Sequence, residues 1–166
     1  MKGGPSLDFT FVPAYSYRNE MALLYREYNE LLLKVSPAMA ESLAMQNFDV
    51  ELDELEKKFG PPAGRLVLCL DGGEPAACVG IKRFNDEICE LKRLYVRPQY
   101  RGHRLGEKLT LMMMDEARSA GYSRMYLDTL PGLKTALKIY RSMGFYDIER
   151  YYDNPVKDGI HLGFDL

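Results

Sequence analysis

Short apolar runs separated by turn sequences predict that the middle of the chain is a β-meander. Runs at 65–70, 76–84 and 88–96 are separated by Asp71-Gly72-Gly73 and by Asn85-Asp86. Gly, Asp and Asn favour tight turns between strands, so each run reads as one strand. An alternating segment at 7–12 predicts an earlier strand.

Apolar residues at three- and four-residue steps predict the helices. A first helix spans 17–35, and a second helical region runs from 38 to 59 after Pro37 and ends at Gly60-Pro61-Pro62. Two further amphipathic segments, 105–120 and 133–144, follow the meander, and the first of them ends at Gly121.

Three later segments, 124–130, 145–152 and 160–165, complete the predicted strands. The strand, helix and strand within 88–130 have the size of a crossover unit that joins parallel neighbours. Together with the antiparallel meander, this unit predicts an α/β fold with a mixed, mostly antiparallel central sheet of about seven strands and about four flanking helices.

Length and composition fit one domain over residues 1–166. The chain is 46% hydrophobic and 28% charged with a net charge of −2, which gives no reason to expect binding of nucleic acid through global charge. Gly3-Gly4-Pro5 opens the chain where a signal peptide needs an apolar run, and no apolar stretch is long enough to cross a membrane. We therefore expect a cytoplasmic protein without membrane partners.

Three cysteines, Cys69, Cys78 and Cys89, lie inside apolar runs. Their spacing matches no zinc site, so we expect no metal and read them as buried reduced thiols. A nucleophilic Cys89 is the alternative.

Basic residues concentrate between Lys92 and Lys108. This segment has six Lys or Arg residues and His103 against the single acid Glu107. A solvated basic face is the ordinary interpretation of such a run, but its placement favours a site. The sequence Arg101-Gly102-His103-Arg104-Leu105-Gly106 joins a strand to the start of an amphipathic helix.

The start of a helix presents unpaired N–H groups and the positive end of the helix dipole to an anion. Gly102 and Gly106 allow a large anion to approach the backbone, and the arginines can add charge-assisted hydrogen bonds to phosphate. These features predict a pyrophosphate site. Neither the P-loop pattern nor the dinucleotide GxGxxG pattern is present.

This turn resembles the [RQ]xxGx[GA] motif of the GNAT N-acetyltransferase superfamily, with Arg104 in place of the first motif glycine. The resemblance extends from about residue 79 to 144 and includes the strand 90–98 and the segment 136–145, a helix that carries Tyr140 and ends in Gly144-Phe145. The segments 127–130 and 153–155 are similar to a bacterial branch of this family. The GNAT fold is a mixed, mostly antiparallel sheet flanked by helices.

The resemblance implies acetyl-CoA as co-substrate and direct transfer of the acetyl group to an amine. It places the pyrophosphate at Arg101, Gly102, His103, Arg104, Leu105 and Gly106. It places the pantetheine arm along the main chain of Leu94, Tyr95 and Val96, where an N–H could stabilise the oxyanion.

Two side chains are candidates for proton transfer. Tyr140 matches the tyrosine that protonates the thiolate in the family, and a core aromatic residue is the alternative. Glu90 matches a catalytic glutamate that accepts the amine proton in many relatives, directly or through water; pairing with Lys92 or Arg93, or binding of substrate, is equally open. His103 is expected to assist phosphate binding and His161 to be structural.

An acidic group in the second helical region could attract a cationic substrate, although a solvated helix face is the more common origin. Its members are Asp49, Glu51, Asp53, Glu54 and Glu56.

The leading functional hypothesis is an N-acetyltransferase for a primary amine, with a small molecule as the expected acceptor. A protein amino group or an aminoglycoside-like antibiotic stays open, as does a homodimer, because family members often dimerise. A non-catalytic acyl-CoA-binding or sensing module is the alternative, and it would not need Tyr140. A nucleic-acid binder using the 92–108 patch is disfavoured by the net negative charge and the lack of an aromatic platform.

Overall fold

Seven strands form one sheet in the computed structural model, which describes residues 6–166. The strands are β1 (Phe9–Pro13), β2 (Arg65–Asp71), β3 (Glu74–Arg83), β4 (Ile88–Val96), β5 (Arg124–Thr129), β6 (Tyr146–Asp147) and β7 (Ile160–Asp165). Their spatial order is β1-β2-β3-β4-β5-β7-β6. Among the strands of residues 6–166, only β4 and β5 are parallel neighbours; the other pairs are antiparallel. The predicted mixed, mostly antiparallel sheet is confirmed, while Gly3-Gly4-Pro5 lies outside the described residues.

Helices cover both faces of this sheet. They are α1 (Arg18–Val35), α2 (Met39–Gln46), α3 (Phe48–Asp53), α4 (Leu55–Phe59), α5 (Leu105–Ser119) and α6 (Lys134–Ser142). Alternate residues of β3 show the two layers: Cys78 packs in a core with α1, α3 and α4, whereas Ala77 and Val79 pack in a core with α5 and α6. The amphipathic stripes of the helices are therefore buried against opposite faces of the sheet.

The predicted helical region 38–59 is divided into three short helices. Asn47 ends α2 in the left-handed conformation with φ 47°, and its side-chain oxygen accepts a hydrogen bond from the Val50 amide (3.5 Å) at the start of α3. Asparagine adopts this conformation more readily than other non-glycine residues. The chain thus changes direction at Asn47, and α3 turns toward β4.

The predicted strand 145–152 is shortened to β6. Beyond β6 the Arg150 guanidinium donates hydrogen bonds to the carbonyls of Asn154 (2.7 Å) and Lys157 (3.1 Å). These bonds hold a loop in front of β7 in place of a continued strand. Within residues 6–166, no helix has both the length and the apolar character needed to cross a membrane.

Candidate acetyl-CoA and acceptor site

A cleft opens where the two parallel strands separate. The register of β4 with β5 covers only Ile88 to Glu90, opposite Arg124 to Tyr126. Both strands continue beyond this point, β4 to Val96 and β5 to Thr129, without pairing to each other. The edge of β4 that faces β5 is consequently free of a strand partner and lines a cavity of about 380 Å³.

A bulge in β4 changes which side of the sheet the residues along this edge face. The register with β3 shifts between the pairs Cys78–Tyr95 and Gly80–Lys92, and Arg93 has φ 62°. Before the bulge Leu91 belongs to the core beside α5, and after it Leu94 and Val96 pack against that same core. The extra residue therefore reverses the alternation of β4 and presents 94–96 to the cleft, where the pantetheine arm was predicted.

A buried ion pair holds the bulge to α3. The Arg93 guanidinium donates to both carboxylate oxygens of Glu51 (2.7 and 2.9 Å) and to the Gln46 side-chain oxygen (2.7 Å), and it lies 4.3 Å from the centre of the Phe48 ring. Lys58 also contacts Glu51. A left-handed non-glycine residue costs about 1–2 kcal/mol, and these contacts offset that cost. Glu51 is thus a buried anchor, whereas the other four acids of the predicted acidic group are exposed.

The pKa of Glu51 reflects this arrangement. Burial alone would raise the pKa, but the hydrogen bonds and charge of Arg93, together with the hydrogen bond from Lys58, outweigh burial and lower the pKa to about 2. Glu51 is therefore ionised at neutral pH and provides the counter-charge of Arg93.

The predicted anion-binding turn lies at the mouth of the same cleft. A 3-10 turn (Pro98–Tyr100) follows β4, Gly102 has φ 88°, and α5 begins at Leu105. The first backbone hydrogen bond of α5 runs from the Lys108 amide to the Arg104 carbonyl (3.0 Å), so the amides of 105–107 have no acceptor within the helix. These amides are unpaired within the helix, as the anion-binding end predicted from the sequence requires.

Arg104 occupies the left-handed conformation, with φ 59° and ψ 25°. This conformation favours glycine, which accounts for the motif glycine at this position in the family. In this chain arginine adopts that conformation in place of glycine. Its exposed guanidinium pairs with Glu107 (3.0 Å).

Eight of the nine residues predicted to bind cofactor line the cavity; the eight are Leu94, Tyr95, Val96, Arg101, Gly102, Arg104, Leu105 and Gly106. His103 does not line it, and its ring packs edge-on against Phe9 at 6.0 Å. Its assignment to phosphate binding stays a prediction.

Tyr140 lines the cavity from α6. Its ring packs edge-on against Phe145 at 5.5 Å, and the residue is 6% exposed. Burial raises the pKa of the phenol above its usual value, and the charges of Tyr28 and Asp128 raise it further. The hydroxyl is therefore protonated at neutral pH, which is the state that a proton donor needs.

Glu90 lies behind the cavity wall. Its carboxylate accepts a hydrogen bond from the Tyr151 hydroxyl (2.9 Å), and the Lys82 and Lys92 ammonium groups lie 3.6 and 3.8 Å away. Lys92 lines the cavity, but Glu90 does not. The predicted pairing with Lys92 is present, and any proton transfer between substrate and Glu90 would need an intermediary.

Asp128 is a cavity residue that was not among the predicted site residues. It accepts a hydrogen bond from the Tyr152 hydroxyl (2.7 Å), and the Lys92 ammonium lies 3.8 Å from its other oxygen. An acid inside the otherwise mostly apolar segment 125–130 was the available signal. Asp128 is half-buried, and a carboxylate that is partly removed from water needs a partner; here the partners are Lys92 and Tyr152.

The three cysteines are free and buried, as predicted. Burial raises the pKa of Cys89 to about 12, so the thiol is protonated at neutral pH and a nucleophilic role is disfavoured. His161 is buried among the rings of Tyr151 and Tyr152, and neither of its ring nitrogens has a hydrogen-bond partner within residues 6–166. Its position fits the predicted structural role.

Comparison with known proteins agrees with this architecture. Over 126 residues the chain is 39% identical to an uncharacterized N-acetyltransferase of Schizosaccharomyces pombe, covering 75% of this chain and 77% of the relative. An acetyltransferase from Streptococcus agalactiae superposes with a TM-score of 0.77 at 23% identity, covering 98% of this chain and all of that one. PaiA N-acetyltransferase from Thermoplasma acidophilum, solved in complex with coenzyme A, has a TM-score of 0.75 at 15% identity, with 97% and 99% of the two chains covered.

These solved structures share the fold. Residues 24–145 match the Acetyltransferase (GNAT) family, and this range contains the bulge, the turn and Tyr140. The chain belongs to the GNAT acetyltransferase family.

Proposed function

We propose that the protein transfers an acetyl group from acetyl-CoA directly to a primary amine of a small molecule. One observation carries the proposal: the free edge of β4, the amide-rich start of α5 and the hydroxyl-bearing residue Tyr140 all border one cavity. Family membership supports the acetyl transfer. A non-catalytic acyl-CoA-binding module would use the first two features but has no need of a buried, protonated phenol beside them.

The cofactor would lie across the mouth of the cleft. Its pyrophosphate would accept hydrogen bonds from the amides at the start of α5, with Arg101 and Arg104 supplying positive charge. Its pantetheine arm would pair with the main chain of 94–96, which β5 leaves free. The phosphates thereby fix one end of the cofactor and the strand edge aligns the thioester.

The chemistry needs an uncharged amine, a stabilised oxyanion and a protonated leaving group. The amine nitrogen attacks the thioester carbonyl, the C–N bond forms and the C–S bond breaks. An amide of β4 would stabilise the oxyanion, and Tyr140 would give its proton to the departing thiolate. The proton released from the amine must leave by a separate route.

Glu90 is the proposed final acceptor of that proton. Its carboxylate does not line the cavity but lies 3.8 Å from the ammonium of Lys92, which does. We therefore propose that a bridging water carries the proton. We expect Glu90→Gln to lower kcat/KM, while the exposed neighbour variant Glu87→Gln leaves kcat/KM unchanged. An unchanged kcat/KM in Glu90→Gln would place the base elsewhere.

The function itself is tested by thiol release. Acetyl-CoA and a panel of primary amines are incubated with the protein, and free CoA thiol and acetylated amine are measured together. The proposal expects one thiol for each acetylated amine, with little release when the amine is omitted. Thiol release without any acetylated amine would show thioester hydrolysis, and no release with any amine would remove the catalytic proposal.

A further inference from the structure

The inner end of the cavity is apolar. Three structural elements meet there: the C-terminal half of α1, the start of α2 and the loop between β5 and α6. The residues that they contribute are Leu31, Leu32, Val35, Met39, Leu130 and Leu133. Leu32, Met39 and Leu130 form a hydrophobic cluster separate from the two main cores. The acceptor side of the cleft therefore has an apolar wall, which adjoins the polar lining residues Thr129 and Thr135.

The loop and α1 approach each other closely at this wall. A Cβ atom added to Gly132 would lie 2.4 Å from Val35 Cγ1. Only glycine allows the loop to pack this near to α1 without a shift of either. The loop and the end of α1 are therefore in contact, and both contribute residues to the apolar wall.

The charge of the lining excludes one class of amine. Among the described residues that line the cavity, Asp128 is the only carboxylate, whereas lysine and arginine occur at Lys92, Arg93, Arg101, Arg104 and Lys134. Arg93 is neutralised by Glu51 and Lys92 lies near Asp128, so the described lining still carries more cations than carboxylates. A polyamine or an aminoglycoside would bring several ammonium groups to a wall with one counter-charge, at the cost of desolvating each.

Asp128 marks where a single ammonium can be held. It lies in β5 two residues before Leu130, so a nitrogen beside Asp128 has the apolar wall next to it. Tyr140 lines the same cavity, so the carboxylate and the proposed proton donor border one space. Lys92 lies 3.8 Å from the same carboxylate, so a substrate ammonium would share Asp128 with Lys92, and a further ammonium would find no second carboxylate in the described lining.

We propose that the acceptor is a monoamine with an apolar body, whose nitrogen lies beside Asp128 and whose body lies against Leu130, Leu133 and the end of α1. This inference rests on the proposed function and narrows its substrate class. The amine loses a proton before it attacks the thioester, so binding as an ammonium and reaction as a neutral amine are successive steps.

Two amines of equal length test the proposal. n-Hexylamine and 1,6-diaminohexane differ by the ammonium that the second carries at the far end. With saturating acetyl-CoA we expect kcat/KM for hexylamine to exceed that for the diamine by a factor of about ten or more, because the second charge would be buried without a partner. Equal or faster turnover of the diamine would overturn the proposal.

Variants at the apolar wall sharpen the test. Leu133→Glu supplies a second carboxylate at the half-buried start of α6. In this variant we expect kcat/KM for the diamine to equal or exceed kcat/KM for hexylamine. Leu111→Glu, at an exposed leucine of α5 outside the cavity, should leave the preference unchanged. Val35→Glu repeats the test from α1 if the first variant does not fold. An unaltered preference in the folded wall variants would contradict the proposed position of the apolar body.

Failure of this inference is distinguishable from failure of the proposed function. If acetyl-CoA raises the unfolding midpoint but neither hexylamine nor the diamine is acetylated, the substrate class is wrong and the cofactor assignment stands. If acetyl-CoA has no effect on the midpoint, the proposed function fails together with the inference.

Discussion

Tyr140→Phe is expected to slow acetyl transfer by a factor of about ten or more while leaving the affinity for acetyl-CoA nearly unchanged. The substitution removes only the hydroxyl, which in our proposal protonates the CoA thiolate, and it keeps the ring that packs edge-on against Phe145. kcat is measured by thiol release, and acetyl-CoA affinity by titration calorimetry.

The pH dependence of the same variant adds a second readout. Because burial raises the pKa of Tyr140 above its usual value of 10.0, the phenol stays protonated through the alkaline range. We expect the ratio of wild-type to variant rates to stay constant from about pH 7 to about pH 10. Tyr146→Phe, at an exposed tyrosine of β6, is the matched control and should retain full turnover. An unchanged kcat in Tyr140→Phe would remove the proposed role.

Glu51→Ala is expected to destabilise the fold by about 3–5 kcal/mol, because it leaves the buried Arg93 without its counter-charge. For a domain of this size the loss corresponds to a fall of roughly 6–20 °C in the unfolding midpoint. The comparison is Glu56→Ala, which truncates an exposed glutamate of α4. Urea unfolding of both variants gives the free-energy difference, and equal losses would show that the Glu51–Arg93 pair does not hold the bulge.

The same pair predicts how stability depends on pH. The pKa of Glu51 is lowered to about 2 in the folded protein from its usual value of 4.5, so its contribution to stability is present above pH 4.5 and is lost as the pH falls toward 2. Glu51→Ala should therefore show a shallower loss of stability than the wild type across this interval. Combining Glu51→Leu with Arg93→Gly removes both charges and the cost of the positive φ, and we expect it to recover part of the lost stability.

The order of helices and strands along the chain could be predicted because its signals are local. The turn Asp71-Gly72-Gly73 and the 3.6-residue period of 105–120 each specify their element without help from distant residues. The break at Asn47 and the early end of β6 depend instead on a left-handed asparagine and on the reach of Arg150 to backbone carbonyls. Neither effect changes the apolar period, so neither is visible in a pattern of hydrophobic positions.

The proposed cofactor-binding turn could be located in the sequence for the same reason. The turn 101–106 is one contiguous segment, and its glycines and arginines are typical of an anion-binding site. The proposed acceptor side is formed by α1, α2 and the loop before α6. In the sequence its apolar residues cannot be told apart from ordinary core residues. The contact of Arg93 with Glu51 joins residues 42 positions apart, a distance over which spacing carries no information.

The most direct test of the account is thermal unfolding with saturating acetyl-CoA beside ATP at the same concentration. Ligand at about 100 times its dissociation constant should stabilise the fold by about 2.7 kcal/mol, or roughly 5–10 °C in the midpoint, with little effect of ATP. Gly106→Ala is a useful companion, because its added methyl would make only ordinary contact (3.6 Å) with Ile139 yet would lie in the anion-binding turn; it should fold normally and show a smaller shift. No shift of the wild type with saturating acetyl-CoA would contradict the assignment of the cleft between β4 and β5 as an acetyl-CoA site.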